Sequence, residues 1–165
     1  VFPVPGNLIS GNLCLSGDGR VLFYTGVDEV VYQVSLSEPY NPATGQAEGQ
    51  FDFSSISNVF RDLALSADGQ KLYLIENQYK SVRQVEMAVP LAVPTSEVTE
   101  KQLLIGGHQT SPASGEFTAD GSRWINVDRA GDMHVFDSPK NRHMVNQHGA
   151  FVGLATASFP FNGLT

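Results

Sequence analysis

One phrase is written three times along this chain, and that repetition constrains its fold more than any other feature. The stretches "LCLSGDGRVLFY" (13–24), "LALSADGQKLYL" (63–74) and "GEFTADGSRWIN" (115–126) align without gaps. Their Asp-Gly pairs stand at 18–19, 68–69 and 120–121, a spacing of 50 and then 52 residues. A second block keeps the same phase. "VYQVSL" (31–36), "VRQVEM" (82–87) and "MHVFDS" (133–138) each begin 51 residues after the last, and Pro39 and Pro90 follow at one offset. Two independent blocks on one period require a repeated structural unit.

Each unit reads as β structure. An apolar stretch runs into Ser/Thr-x-Asp-Gly, where Asp and Gly tolerate the positive φ of a tight hairpin. Asp18, Gly19, Asp68, Gly69, Asp120 and Gly121 are therefore expected to be structural turn residues. β-branched and aromatic stretches follow (Val21 to Thr25, Lys71 to Glu76, Arg123 to Asp128), then a polar turn and the second block. A fourth stretch closes each unit, "FDFSS" from Phe51, "QLLIGG" from Gln102 and "HMVNQH" from His143. Four antiparallel strands in about 50 residues outline a propeller blade. Apolar residues on both faces of the middle strands fit a blade held between two neighbours, whereas a sheet with one wet face alternates more cleanly. The expected fold class is all-β, a propeller-like domain over 1–165 with repeats at approximately 8–56, 57–107 and 108–149 and partial terminal strands at 1–7 and 150–165. An all-β sandwich of hairpins is the alternative; the in-phase blocks favour the propeller.

At 165 residues the chain is the size of one domain and buries about two thirds of its unfolded surface. Net charge is −7 and no Lys/Arg run occurs, which argues against nucleic acid and anionic membranes as partners. No apolar run reaches the roughly 18 residues of a membrane span, so membrane insertion is not expected. The single cysteine, Cys14, forms no intramolecular disulfide, and its apolar neighbours suggest a buried thiol. The chain opens on Val rather than Met, as a processed or excised piece would.

Catalytic and metal signals are weak. One Asp per unit does not supply the six to eight oxygens of a calcium site, so the turn reading stands for the repeated aspartates. His108, His134, His143 and His148 lack the spacing of a zinc site and are read as surface or loop residues. No GxSxG elbow or phosphate-cradling loop is present. Neither metal, cofactor nor catalytic set is expected, and the chain reads as no enzyme. The loops 37–50, 77–81 and 108–115 are polar and carry amphipathic rings beside amides. Tyr40, Asn41, Tyr79, Lys80 and Gln109 are the binding candidates, weighed against ordinary solvated loops. Trp124 lies mid-strand and reads as core.

"DGRVLFYTGVDEVVYQVSLSEPYNPATG" and "DGQKLYLIEN" with "VRQVEM" resemble the tandem propeller repeats of phage tail or fibre proteins and bacterial surface proteins. More distantly the units are similar to lactonase-like and YVTN propellers. The resemblance implies a non-enzymatic binding or structural module, part of a viral tail, fibre or spike that attaches to a host-surface glycan or protein. It places the chain on a virion or at the cell surface. A purely structural assembly protein and a fragment of a lactonase-like enzyme are the alternatives. Three units are fewer than a closed ring needs. Closure by the two termini, by copies of the chain or within a larger propeller are the solutions, self-association being preferred.

Overall fold

The computed structural model describes residues 12–26, 28–56, 60–77, 79–104, 111–118, 122–137, 151–152 and 155–160. They form three β-sheets and two single-turn 3-10 helices. The first sheet runs β1 (Leu13–Leu15), β2 (Val21–Thr25), β3 (Val30–Leu36) and β4 (Gly45–Asp52) in simple antiparallel order. The second repeats this with β5 (Phe60–Leu65), β6 (Lys71–Glu76), β7 (Ser81–Met87) and β8 (Ser96–Leu104). The third contains β9 (Pro112–Phe117), β10 (Arg123–Asp128) and β11 (Asp132–Asp137). The architecture is all-β and propeller-like, with three blades.

Two observations concern the fourth strands. β4 begins at Gly45, inside the stretch read as a loop from its polarity, because the β3 edge offers a full row of backbone partners whatever the side chains are. In the third sheet, Ala155–Pro160 (β13) pairs antiparallel with β11 in the fourth position. The stretch from His143 lies outside the described residues. Between these, Phe151–Val152 (β12) runs parallel to the outer edge of β8. Residues 151–152 and 155–160 thus lie on the rims of two adjacent blades, and their backbone fills edges that would otherwise stay open.

The first two Asp-Gly turns repeat atom for atom. Ser16 Oγ donates to Asp18 Oδ1 at 2.6 Å, and Asp18 Oδ1 also accepts from Arg20 N at 3.0 Å. Ser66 Oγ, Asp68 Oδ1 and Gln70 N make the same bonds at 2.6 and 3.0 Å. These hydrogen bonds, the Ser hydroxyl first, hold the carboxyls of Asp18 and Asp68 below the ordinary carboxylate value. Gly19 and Gly69 adopt φ of 68° and 69°. Over them lie Tyr40 and Leu91, 51 residues apart in sequence and both at positive φ (58° and 59°), whose N–H groups donate to Gly19 O and Gly69 O. The turn between the second and third strands of each blade is also left-handed at one repeated position, Glu29, Lys80 and Gly131 (φ 59°, 49° and 90°).

Blades pack face to face. Phe23, Val31 and Phe53 of the first blade meet Leu63, Leu72, Leu74, Val85, Met87 and Val93 of the second. On the other face of the second blade, Ala64, Ile75 and Val82 meet Trp124 and Phe136 of the third. Trp124 is fully buried, as its mid-strand position suggested. Alternate residues of β6 therefore serve two cores, Leu72 and Leu74 one way and Tyr73 and Ile75 the other. Polar bonds lock the seams: Val93 N donates to Gln33 Oε1 at 2.8 Å, and Phe60 N to Glu29 Oε2 at 3.2 Å.

Replacing Gly69 by Ala puts a Cβ 2.8 Å from Leu91 Cδ2 at a φ that Ala resists. Urea unfolding is expected to show a loss of about 1–3 kcal/mol. Gly17→Ala, with open space around it, should stay within about 0.5 kcal/mol of the parent.

Candidate functional site

The innermost strand of each blade faces the propeller axis, and there the three sheets enclose an open cleft of about 670 Å³. That volume is in the range of small-molecule sites. β1 supplies Leu13, Cys14 and Leu15; β5 supplies Asp62, Leu63 and Leu65; β9 supplies Ser114, Gly115 and Glu116, backed by Ile125 and Val127 of β10. Its walls are mostly apolar, with two carboxylates, a hydroxyl and a thiol converging from three blades.

Strand alternation and one irregularity aim these groups. Ser114 and Glu116 sit opposite Val127 and Ile125, on the face of β9 that Phe117 leaves for the Trp124 core. Gly115 lets the strand lie against that core: a Cβ there would stand 2.4 Å from the Trp124 ring and 2.8 Å from Ile125 O. In β5 the register shifts between Phe60 and Asp62, a bulge of the kind that re-aims a side chain. Asp62 Oδ2 then accepts from Ser114 Oγ at 2.5 Å and Gly115 N at 3.3 Å, and Oδ1 from Leu63 N at 2.9 Å. Asp62 is thus fixed by donors from its own blade and the next.

The electrostatics separate the three titratable groups. Protein packed around the Glu116 carboxyl raises its pKa above 4.5, and the charge of Asp62 adds to this, although the residue as a whole remains accessible to solvent. Burial, then the charges of Glu116 and Asp62, push the Cys14 thiol up to about 12. Cys14 is therefore a thiol, and not a nucleophile, at neutral pH. Glu116 is the carboxyl closest to acid–base duty, and Asp62 the fixed one.

The sequence-predicted candidates lie elsewhere. Tyr40 is 63% exposed, with its ring over Gly19 and its hydroxyl donating to Gly17 O at 3.2 Å. Asn41 caps a 3-10 turn by accepting from Ala43 N at 3.1 Å. Tyr79 is exposed, Lys80 occupies the left-handed turn, and Gln109 lies outside the described residues, as do Asp120 and Gly121. His134, read as a surface or loop residue, is instead buried in β11 with Nε2 3.5 Å from Asp128 Oδ2. Asp128, Asp132 and His134 each bring one potential metal-ligand atom within 4.8 Å of the others. Asp128 Oδ1 is taken by Ala130 N and Asp132 N, the bonds of a turn-forming aspartate. His108, His143 and His148 lie outside the described residues.

Sequence reasoning missed Asp62, Ser114 and Glu116 as a group. One signal was available: Glu116 occupies the repeat position held by Cys14 and Ala64, a charge where the other copies are apolar.

No protein-family model matches the sequence, and neither does any curated protein. Solved structures match the fold. A protein of Bacteroides uniformis provisionally named a 6-phosphogluconolactonase aligns with a TM-score of 0.58 at 16% identity, over 90% of this chain and 40% of its own. A likewise named Bacteroides fragilis protein gives 0.59 at 11% over 90% and 38%, and the periplasmic gluconolactonase of Pseudomonas aeruginosa gives 0.59 at 15% over 90% and 39%. At these identities the likeness shows the fold. The chain spans about 40% of the length of these structures. The expectation of a chain that is no enzyme is corrected here, since the matching propellers carry enzyme names and the axial cleft holds paired carboxyls that loop-centred reasoning left out.

Folded protein should show Cys14 resisting iodoacetamide at pH 8, with a thiolate absorbance midpoint near 12. Removing both charges in the D62N/E116Q double variant lowers that midpoint, while burial, the larger cause, keeps it above 9.0. A midpoint at the ordinary thiol value in the folded parent would contradict the cleft electrostatics.

Proposed function

We propose that the chain supplies three blades of a lactonase-type propeller and that its axial cleft hydrolyses a sugar lactone. The observation that carries this reading is the placement of Glu116, with its raised carboxyl pKa, beside the fixed Asp62 and Ser114 hydroxyl at the axis. The fold likeness to proteins with lactonase names supports it.

The chemistry asks little machinery. A water molecule attacks the lactone carbonyl carbon while Glu116 takes its proton. The tetrahedral intermediate collapses with cleavage of the bond to the ring oxygen, and Glu116 returns the proton to that oxygen, giving the open hydroxy acid. A carboxyl pKa raised above its ordinary value strengthens Glu116 as the base of the first step, and the proton it takes there is the one it gives back in the second. Ser114 and Asp62 orient the substrate hydroxyls, and Leu13, Leu15, Leu65, Ile125 and Val127 offer apolar surface to the ring face.

Further blades complete the ring in this reading. Three blades correspond to about 40% of the matched chains, which leaves room for ~7 units in a full circle, within the range of closed propellers. The remaining blades come from additional chain or from further copies.

Hydrolysis of glucono-1,5-lactone, followed by proton release above the spontaneous rate, tests the activity. Glu116→Gln is expected to lower kcat by about 10²-fold or more with the fold intact by circular dichroism. Because the base works deprotonated, kcat/KM should rise with pH through a midpoint above 4.5 and flatten beyond it. A parent rate equal to the spontaneous one, or an E116Q rate equal to the parent, would defeat the assignment.

A further inference from the structure

We infer that the axial cleft selects an uncharged lactone and rejects its phosphate ester; this rests on the lactone reading above and concerns the same site. The described lining holds two carboxyls, Asp62 and Glu116, and contains no Lys, Arg or His. Cys14 adds no positive charge either, being a thiol at neutral pH. Two backbone donors of the wall, the N–H groups of Leu63 and Gly115, already point at Asp62. A doubly charged phosphate therefore finds no cationic side chain in the described lining, and meets two like charges instead.

Neighbouring cations do not reverse the balance. Arg61 precedes Asp62 in β5 but lies outside the lining, in electrostatic reach of Glu29, whose carboxyl burial holds above its ordinary value even so. Arg83 is committed to Glu76, Nε to Oε1 at 3.0 Å. The Arg83 guanidinium is thus matched by a carboxylate of the seam between the first and second blades.

The same charges bear on turnover. Hydrolysis turns a neutral lactone into an anionic hydroxy acid, so the wall that admits the substrate repels the product. Product inhibition is expected to be weak at low salt and to strengthen as ionic strength screens the carboxylates.

The test compares glucono-1,5-lactone with its 6-phosphate, alongside calorimetric binding of the unreactive 1,5-anhydroglucitol and its 6-phosphate to the same full chain. Selectivity of tenfold or more for the uncharged member of each pair, shrinking in 0.5 M salt, is the expected result. Leu13, 63% exposed on the cleft wall, allows a cation to be added without disturbing the core. Leu13→Lys should narrow the gap at least fivefold relative to Leu13→Gln. Equal or better use of the phosphate ester, or binding of the phosphate and not of the neutral ring, overturns the inference. Selective binding of the neutral ring without turnover of either lactone would uphold it and remove the lactonase reading.

Discussion

Everything in this molecule depends on a middle sheet that has no wet face. A β-sheet with one solvated side folds against a single partner, but the middle blade here is apolar on both sides and must be sandwiched. Leu72 and Leu74 pack toward Phe23 and Val31, while Tyr73 and Ile75 pack toward Trp124 and Phe136. That requirement sets the blades side by side, turns their innermost strands inward and creates the axial cleft as a by-product of packing. The cleft is therefore as rigid as the cores that flank it. Groups placed on its wall inherit that rigidity, which is what catalysis by positioned carboxyls asks of a scaffold.

Variation within the repeat is as informative as the repeat itself. One position, Tyr32, Arg83 and His134, recurs every 51 residues and each time faces a carboxylate near the preceding turn. Tyr32 Oη donates to Asp28 at 2.6 Å, Arg83 pairs with Glu76 at 3.0 Å, and His134 stands 3.5 Å from Asp128. The Arg83 Nε and Glu76 Oε1 atoms lie close without the alignment of a hydrogen bond, so charge rather than directionality holds them. Since Glu76 is fully buried, that charge is matched where water cannot reach it. The fold conserves an address for a donor and acceptor while the chemistry of the donor drifts.

The fold was legible in the sequence where local chemistry and tertiary pairing agree. The stretches Val21 to Thr25, Lys71 to Glu76 and Arg123 to Asp128, read as strands from their β-branched and aromatic content, are β2, β6 and β10 residue for residue. Where the two disagree, reading fails: Gln46, Glu48 and Gln50 carry no apolar signal, yet β4 forms because β3 supplies hydrogen-bond partners. The site was less legible for a different reason. Asp62 and Ser114 are 52 residues apart and Cys14 lies 48 residues before Asp62, so no window along the chain contains the cluster. Tyr40, chosen as a binding ring because it is aromatic and lies in a polar loop, rests over Gly19. Only Glu116, a charge in an apolar column of the repeat, pointed inward from the sequence.

The segment 151–160 gives the rim a different mechanical character from the hub. β12 runs along β8 of the second blade, and β13 along β11 of the third. The two outer edges thus each carry a strand from late in the chain, whereas the described contacts across the first seam are side-chain packing and single polar bonds. Separating the first two blades must break both packed side chains and the bonds to Gln33 and Glu29. The axial cavity is accordingly bordered by unequal sheets: the second blade carries a fifth strand and the third takes its outermost strand from 155–160, while the first, whose β1 forms the remaining wall, is built from 13–52 alone.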